Sequence, residues 1–285
     1  SNFGYISRER GSYKKLNNVI GKHGDTLISL DEEGILLSIK TKNIRLTLNL
    51  RRGLTIQSLA FLSHKMKPCI GILPHGFFSN ISLGADYYSG GVVIELPLER
   101  KRITDLEKVE PSFLIKDNGN IEICSEIKTE YGSIIKKIEI ATCSEKILLS
   151  YSFPEWKNIL GTVRLGVITL LNKFTQENTK LYCSNGGENL ESFNFNGEFN
   201  HSKPASTLVS SSRGLGASSG EIKIENNKNC IYLSWDPGES AVMPMLQNES
   251  FDNLTLSRVF FSLKEVDDTS KNLSSIGTFS LEVST

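Results

Sequence analysis

Ile44-Arg45-Leu46-Thr47-Leu48-Asn49-Leu50 alternates apolar and polar side chains without a break. Successive side chains of an extended chain point to opposite faces, so this run has one buried face and one wet face. Arg51-Arg52-Gly53 interrupts it, and the alternation resumes at Leu54-Thr55-Ile56-Gln57-Ser58-Leu59-Ala60-Phe61, which reads as the hairpin partner. Upstream, strands at residues 26–30 and 35–41 flank Asp31-Glu32-Glu33-Gly34, a polar turn that ends in glycine.

The same signal recurs downstream. Strands are expected at residues 91–96, 112–116, 120–130, 133–142 and 146–153, joined by Asp117-Asn118-Gly119, Tyr131-Gly132 and Ser144-Glu145. Tight polar or glycine turns between long strands mark an antiparallel meander. The second half continues with strands at 162–171, 180–184, 190–195, 220–225, 229–235, 254–264 and 277–283, and the longest loop is expected at 196–219. Capped 3.6-residue periodicity is sparse, leaving only residues 13–20 and 104–109 as short helical turns. About fifteen strands without an internal linker point to an all-β fold, one large sandwich of two antiparallel sheets. Residues 1–24 are read as an N-terminal extension and residues 25–285 as a single domain.

Composition narrows the function classes. The 32 basic residues balance 32 acidic ones, so no overall field draws the chain to nucleic acid or to an anionic membrane. Arg100-Lys101-Arg102 is bracketed by Glu99 and Asp105, which favours a solvated turn over a phosphate site. No apolar run approaches the roughly 18 residues of a membrane span. Five cysteines, Cys69, Cys124, Cys143, Cys183 and Cys230, are scattered without a C-x-x-C pair, so reduced thiols and a cytoplasmic location are expected. Sequons begin at Asn80, Asn200, Asn248, Asn253 and Asn272, a frequency that an Asn- and Ser-rich chain reaches by chance. There is no Walker A loop, H-E-x-x-H or G-x-S-x-G motif, and Gly214-Leu215-Gly216 lacks dinucleotide-loop spacing, so neither cofactor nor metal is expected.

Two polar loops are candidates for chemistry. Leu73-Pro74-His75-Gly76-Phe77-Phe78-Ser79-Asn80 leads to Gly84-Ala85-Asp86-Tyr87-Tyr88-Ser89-Gly90-Gly91 and then to Glu95. Aromatic faces pack on the C–H faces of a pyranose while Asp and His satisfy its hydroxyls, although a buried aromatic loop with Asp86 capping a turn explains the same residues. The second loop is Asn185-Gly186-Gly187-Glu188-Asn189-Leu190-Glu191, whose paired glycines permit close backbone approach and whose glutamates could serve as acid and base. A plain hairpin turn with solvated glutamates is the competing reading. His201 and Arg213 follow, one titratable group and one fixed cation, with an exposed loop as the alternative for His201. Trp235-Asp236-Pro237-Gly238-Glu239 reads as a site rim or simply as a strand end entering a turn.

The segments Asn49-Leu50-Arg51-Arg52-Gly53-Leu54-Thr55-Ile56, Asp86-Tyr87-Tyr88-Ser89-Gly90-Gly91-Val92, Asn185-Gly186-Gly187-Glu188-Asn189 and Arg258-Val259-Phe260-Phe261-Ser262-Leu263 together resemble the galactose mutarotase-like supersandwich. The resemblance extends from about residue 25 onward and is closest to the β domains that follow catalytic domains in glycoside hydrolase family 57. It implies a carbohydrate-binding or accessory domain contacting sugar through Asp86, Tyr87, Tyr88, Glu95, Asn185, His201 and Arg213. The implied partners are a carbohydrate and a catalytic domain of the same longer protein, and neither nucleic acid nor membrane. An aldose epimerase, lyase or hydrolase is the enzymatic alternative. There His75 would protonate the ring oxygen while Glu188 or Glu191 took the anomeric hydroxyl proton. The spacing around His75 departs from the epimerase pattern and the second histidine motif is missing. A third reading is a structural domain that packs on a catalytic neighbour.

Overall fold

The computed structural model describes residues 12–72, 88–156, 158–175, 178–203, 213–227, 229–251, 254–268, 271–273 and 276–285. Within them lie twenty-two strands, numbered here in chain order, arranged in two sheets whose pairings are all antiparallel. The smaller, ten-stranded sheet runs β1 (Lys14–Lys15), β10 (Ser112–Ile115), β11 (Ile121–Thr129), β12 (Gly132–Ile140), β13 (Lys146–Ser152), β22 (Thr278–Ser284), β19 (Asn229–Ser234), β18 (Glu221–Asn226), β15 (Lys180–Cys183), β16 (Glu191–Asn194). The larger, twelve-stranded sheet runs β17 (Phe199–Asn200), β20 (Met243–Phe251), β21 (Leu254–Lys264), β14 (Thr162–Leu170), β7 (Pro68–Gly71), β6 (Thr55–Phe61), β5 (Ile44–Asn49), β4 (Leu36–Lys40), β3 (Thr26–Leu30), β2 (Gly21–His23). Beside β7, the free edge of β14 also takes β8 (Val92–Leu96), which carries β9 (Lys101–Thr104).

The alternation read at residues 44–50 is realised in β5, where Ile44, Leu46 and Leu48 are fully buried between the sheets and Arg45 is exposed. They belong to one core cluster that joins residues of both sheets and includes Ile134, Ile138 and Ile140 of β12 and Leu281 and Val283 of β22. Such a core is held by the non-directional removal of apolar surface from water, which rewards any register that keeps these residues inside.

The two expected helical turns differ. Residues 13–20 contain β1 and one 3-10 turn at Leu16–Asn18, while residues 104–109 form no helix. The strand β9 ends at Thr104 and the next residue, Asp105, turns into the interior to meet a buried lysine, an interaction that outweighs the local helical pattern. The strands β1 and β2, inside the expected N-terminal extension, pair with β10 and β3 respectively. Arg100-Lys101-Arg102 is solvated as read, with Arg100 at φ 51° and β9 starting at Lys101. None of the five cysteines is in a disulfide, and no helix among the described residues is long and apolar enough to cross a membrane.

Candidate functional site

A sheet face turned away from the core is ordinarily wet. The central strand of the larger sheet breaks this rule. Its inward residues are Val163, Leu165, Ile168 and Leu170, all in the core. The step from Leu165 to Ile168 is three residues because a bulge sits between them, with Gly166 at φ 60°. A Cβ at position 166 would lie 3.2 Å from Leu281 and 3.4 Å from Phe261, in a backbone region that side chains disfavour. The bulge shifts the alternation by one residue, so that Thr162, Arg164, Val167 and Thr169 share the outer face.

Strand register then assembles rows across that face. Thr169 pairs with Arg258, Arg258 with Gln247, and Gln247 with Asn200. The next row is apolar, since Val167, Phe260 and Met245 form a small cluster separate from the main core. Beyond it Val93, Arg164, Ser262 and Met243 stand in register. An apolar strip with one aromatic ring, Phe260, therefore lies between two rows that each hold one arginine.

The polar side chains are hydrogen-bonded into a continuous run. Arg258 donates to Gln247 Oε1, and Gln247 Nε2 and Asn200 Nδ2 both donate to Glu249 Oε1, at 2.9 and 3.0 Å. Ser202 donates its N–H to Asn200 Oδ1 at 2.9 Å, and its carbonyl accepts from Arg164 Nη1 at 3.5 Å. Arg164 Nη2 reaches Glu265 Oε2 at 3.3 Å, and Ser262 donates to the other oxygen of Glu265. The Arg164 guanidinium lies 5.8 Å from the centroid of the Phe260 ring. Arg258 is only 4% exposed and Phe260 5%. The Thr162 and Thr169 hydroxyls and Arg164 Nε are buried on this face with no hydrogen-bond partner among the described residues. Unmet capacity of this kind costs stability unless something satisfies it.

Glu95 stands next to Thr162 at the β8 side of the face. It accepts from Arg102 Nη2 at 2.5 Å and from Arg102 Nε at 3.1 Å, and both side chains are part-exposed. Around them is a cavity of about 330 Å³ lined by Glu95, Leu96, Pro97, Arg100, Lys101 and Arg102. That volume is at the small end of the range for small-molecule sites.

Apart from His201, Arg213 and Asn185, the remaining candidate residues fall in separate places. His75, Asp86 and Tyr87 lie outside the described residues. Tyr88 is buried with the Arg52 guanidinium 5.9 Å from its ring centroid. Asn185, Glu188 and Glu191 occupy the β15–β16 hairpin, where Gly186 has φ 90°. Asn185 donates to Glu191 at 3.3 Å and accepts the Ala217 N–H at 3.0 Å, while Glu188 is exposed. His201 grips β20 twice, through its own N–H to the Leu246 carbonyl at 2.9 Å and through Nδ1, which accepts the Leu246 N–H at 3.2 Å. Burial and the charge of Arg213 hold its pKa below the ordinary histidine value. Segment 213–218 runs from Pro244, where Leu215 donates at 2.9 Å, to the Asn185 hairpin, and so brings His201, Arg213 and Asn185 to one edge of the sandwich. Among the described residues no group of three or more His, Cys, Asp or Glu side chains converges as metal ligands would.

Arg164, Gln247, Arg258 and Phe260 were not singled out from sequence as site residues. Arg258 was the available signal: a charged residue inside the long apolar run of β21.

Similar folds are found among solved structures. A galactose mutarotase-like protein from Clostridium acetobutylicum matches with a TM-score of 0.54 at 11% identity, over 92% of this chain and 98% of that one. A Klebsiella pneumoniae protein provisionally assigned as an aldose 1-epimerase matches with a TM-score of 0.59 at 9% identity, over 96% and 87%. An alpha-N-acetylgalactosaminidase from Bifidobacterium bifidum matches with a TM-score of 0.55 at 8% identity, over 86% of this chain and 35% of that one. No protein-family model matches the sequence, and no curated protein matches it. The fold is the galactose mutarotase-like two-sheet sandwich.

Proposed function

We propose that the chain is a carbohydrate-binding supersandwich domain of a glycan-processing protein, and that the outer face of β14, β21 and β20, where Arg258 and Phe260 are only 4% and 5% exposed, is the floor of a saccharide site entered from the part-exposed Glu95 side. The observation that carries this reading is the row pattern: Phe260 between the Arg164 row and the Arg258 row. A pyranose has apolar C–H faces and a rim of hydroxyls, so it is matched by an aromatic ring flanked by planar donors and by carboxylate and amide acceptors. The Thr162 and Thr169 hydroxyls and Arg164 Nε supply further polar capacity on the same face. The cavity at Glu95 and Arg102 adjoins this face and is the proposed approach to it.

The alpha-N-acetylgalactosaminidase is a longer chain of which this fold corresponds to about a third, which supports an accessory role beside a catalytic domain, as in the β domains of glycoside hydrolase family 57. Catalysis by His75 with Glu188 or Glu191 is the weaker reading, because Glu188 and Glu191 sit on a hairpin and not among the rows of this face.

Binding to an oligosaccharide array followed by calorimetric titration tests the proposal. Dissociation constants in the micromolar to millimolar range are expected, roughly 8 to 4 kcal/mol of binding free energy. Phe260→Leu keeps an apolar side chain but removes the aromatic face, and is expected to weaken binding by about 1 kcal/mol. Absence of any saccharide ligand, or full affinity in a folded Phe260→Leu variant, would falsify the proposal.

A further inference from the structure

The even-numbered residues of β12 face the core as Ile134, Lys136, Ile138 and Ile140, so one lysine stands in an otherwise apolar row. Lys136 is 1% exposed and is in ionic contact with Asp105, which is 0% exposed. Its Nζ also donates to the Gly53 carbonyl at 2.6 Å and lies 6.0 Å from the centroid of the Tyr151 ring. Stripping both ions of water opposes their attraction, so a buried pair of this kind adds little net stability over a well-packed apolar replacement. What it adds is a fixed geometry, and here that geometry leads outward. Asp105 Oδ1 accepts the Val92 N–H at 2.9 Å, and Tyr151 donates its hydroxyl to the Gly90 carbonyl at 3.0 Å. Residues 90–92 in turn hold the bulge of β14: Gly90 donates to the Val167 carbonyl at 2.7 Å, and Gly166 donates to the Gly91 carbonyl at 3.1 Å. The bulge is what brings Arg164 and Val167 onto the same face.

We infer that Lys136 and Asp105 are positioning residues for the outer face, acting from inside the sandwich through residues 90–92 on the β14 bulge and so on Arg164. The smaller sheet thereby sets the shape of the proposed site on the far side of the larger one. This deepens the saccharide-site reading and rests on it for its functional consequence alone.

The test is amide hydrogen exchange and saccharide titration on the full chain carrying Lys136→Met with Asp105→Leu. Apolar replacement of both partners leaves no unpaired buried charge but takes a partner from the Val92 N–H and the Gly53 carbonyl, so the denaturation midpoint is expected to fall only slightly with the chain still folded. The Gly90 and Gly166 amides, neither of which contacts either replaced side chain, are expected to exchange about tenfold faster or more while core amides keep their rates. Saccharide affinity is expected to fall by at least about tenfold. A purely structural pair would move core and bulge amides together, so a folded double variant with unchanged Gly90 and Gly166 exchange overturns the inference. If the double variant does not fold, Asp105→Asn keeps the side-chain shape and an acceptor for the Val92 N–H while removing the charge that holds Lys136. Faster exchange at Gly90 and Gly166 then supports the inference, and unchanged exchange overturns it. Should the wild-type chain bind no saccharide, the saccharide reading fails while the exchange measurement still decides the positioning role.

Discussion

Arg258 and Arg164 stand in the rows on either side of the Phe260 row, and the two guanidiniums are fixed differently. Arg258 is tied to Gln247, a neutral partner, while Arg164 meets the carboxylate of Glu265 and the Ser202 carbonyl. A planar guanidinium presents several donors in one geometry, which a lysine ammonium cannot reproduce. Arg258→Lys is therefore expected to weaken saccharide binding about tenfold, ~1.4 kcal/mol, in calorimetric titration, with a small change in stability. His201 carries a pH dependence of known sign. Its Nδ1 accepts a backbone N–H, which requires an unprotonated nitrogen, and burial beside Arg213 lowers its pKa in the folded protein. The unfolded chain then binds the proton more readily, so this stabilisation is complete above the ordinary histidine pKa of about 6.5 and is lost as pH falls below it. Urea midpoints measured from neutral pH downward should fall more steeply for the wild-type chain than for His201→Gln. Little of this was legible beforehand. Tyrosines and loop carboxylates stand out in a linear sequence, whereas Arg258 and Thr169 become neighbours only through strand pairing, and Lys136 is one basic residue among others until the inward phase of β12 is known.

Strands were easiest to read where one face is uniformly apolar. β5 and β12 follow this rule almost throughout, and their bounds agree closely with the alternation. β20 was missed although it is nine residues long. Its core-facing positions include Pro244, Leu246 and Asn248, while Met243, Met245, Gln247 and Glu249 face outward, so both faces mix apolar and polar residues. An outer face that is covered rather than wet erases the period-two signal on which recognition depends. The same holds for the bulge in β14, which shifts the phase within a run that reads as continuous. Gly166→Ala places a side chain at φ 60° against Leu281 and Phe261, and is expected to cost ~1 kcal/mol or more in chemical denaturation. Saccharide affinity should fall with it, since Arg164 and Val167 share a face only through the phase shift that the bulge makes.

At the scale of the molecule, the two sheets enclose a core that the sequence pattern foretold as a large all-β sandwich, and the solved structures share that architecture. The core joins residues of both sheets, from Ile28 near the start to Val283 near the end, so no part of the described chain has a separate interior of comparable size. Equilibrium unfolding is accordingly expected to give one transition by circular dichroism and by tryptophan fluorescence, since Trp156 and Trp235 both lie in that core. Two separated transitions would show that the sheets do not stabilise one another. The proposed saccharide site is tested most directly by backbone amide chemical shifts of the isotope-labelled chain, recorded while an oligosaccharide is titrated. Perturbations centred on residues 162–169, 245–249 and 256–262 are the expected result. Perturbations confined to the Asn185–Glu191 hairpin, with β14, β20 and β21 unmoved, would contradict it.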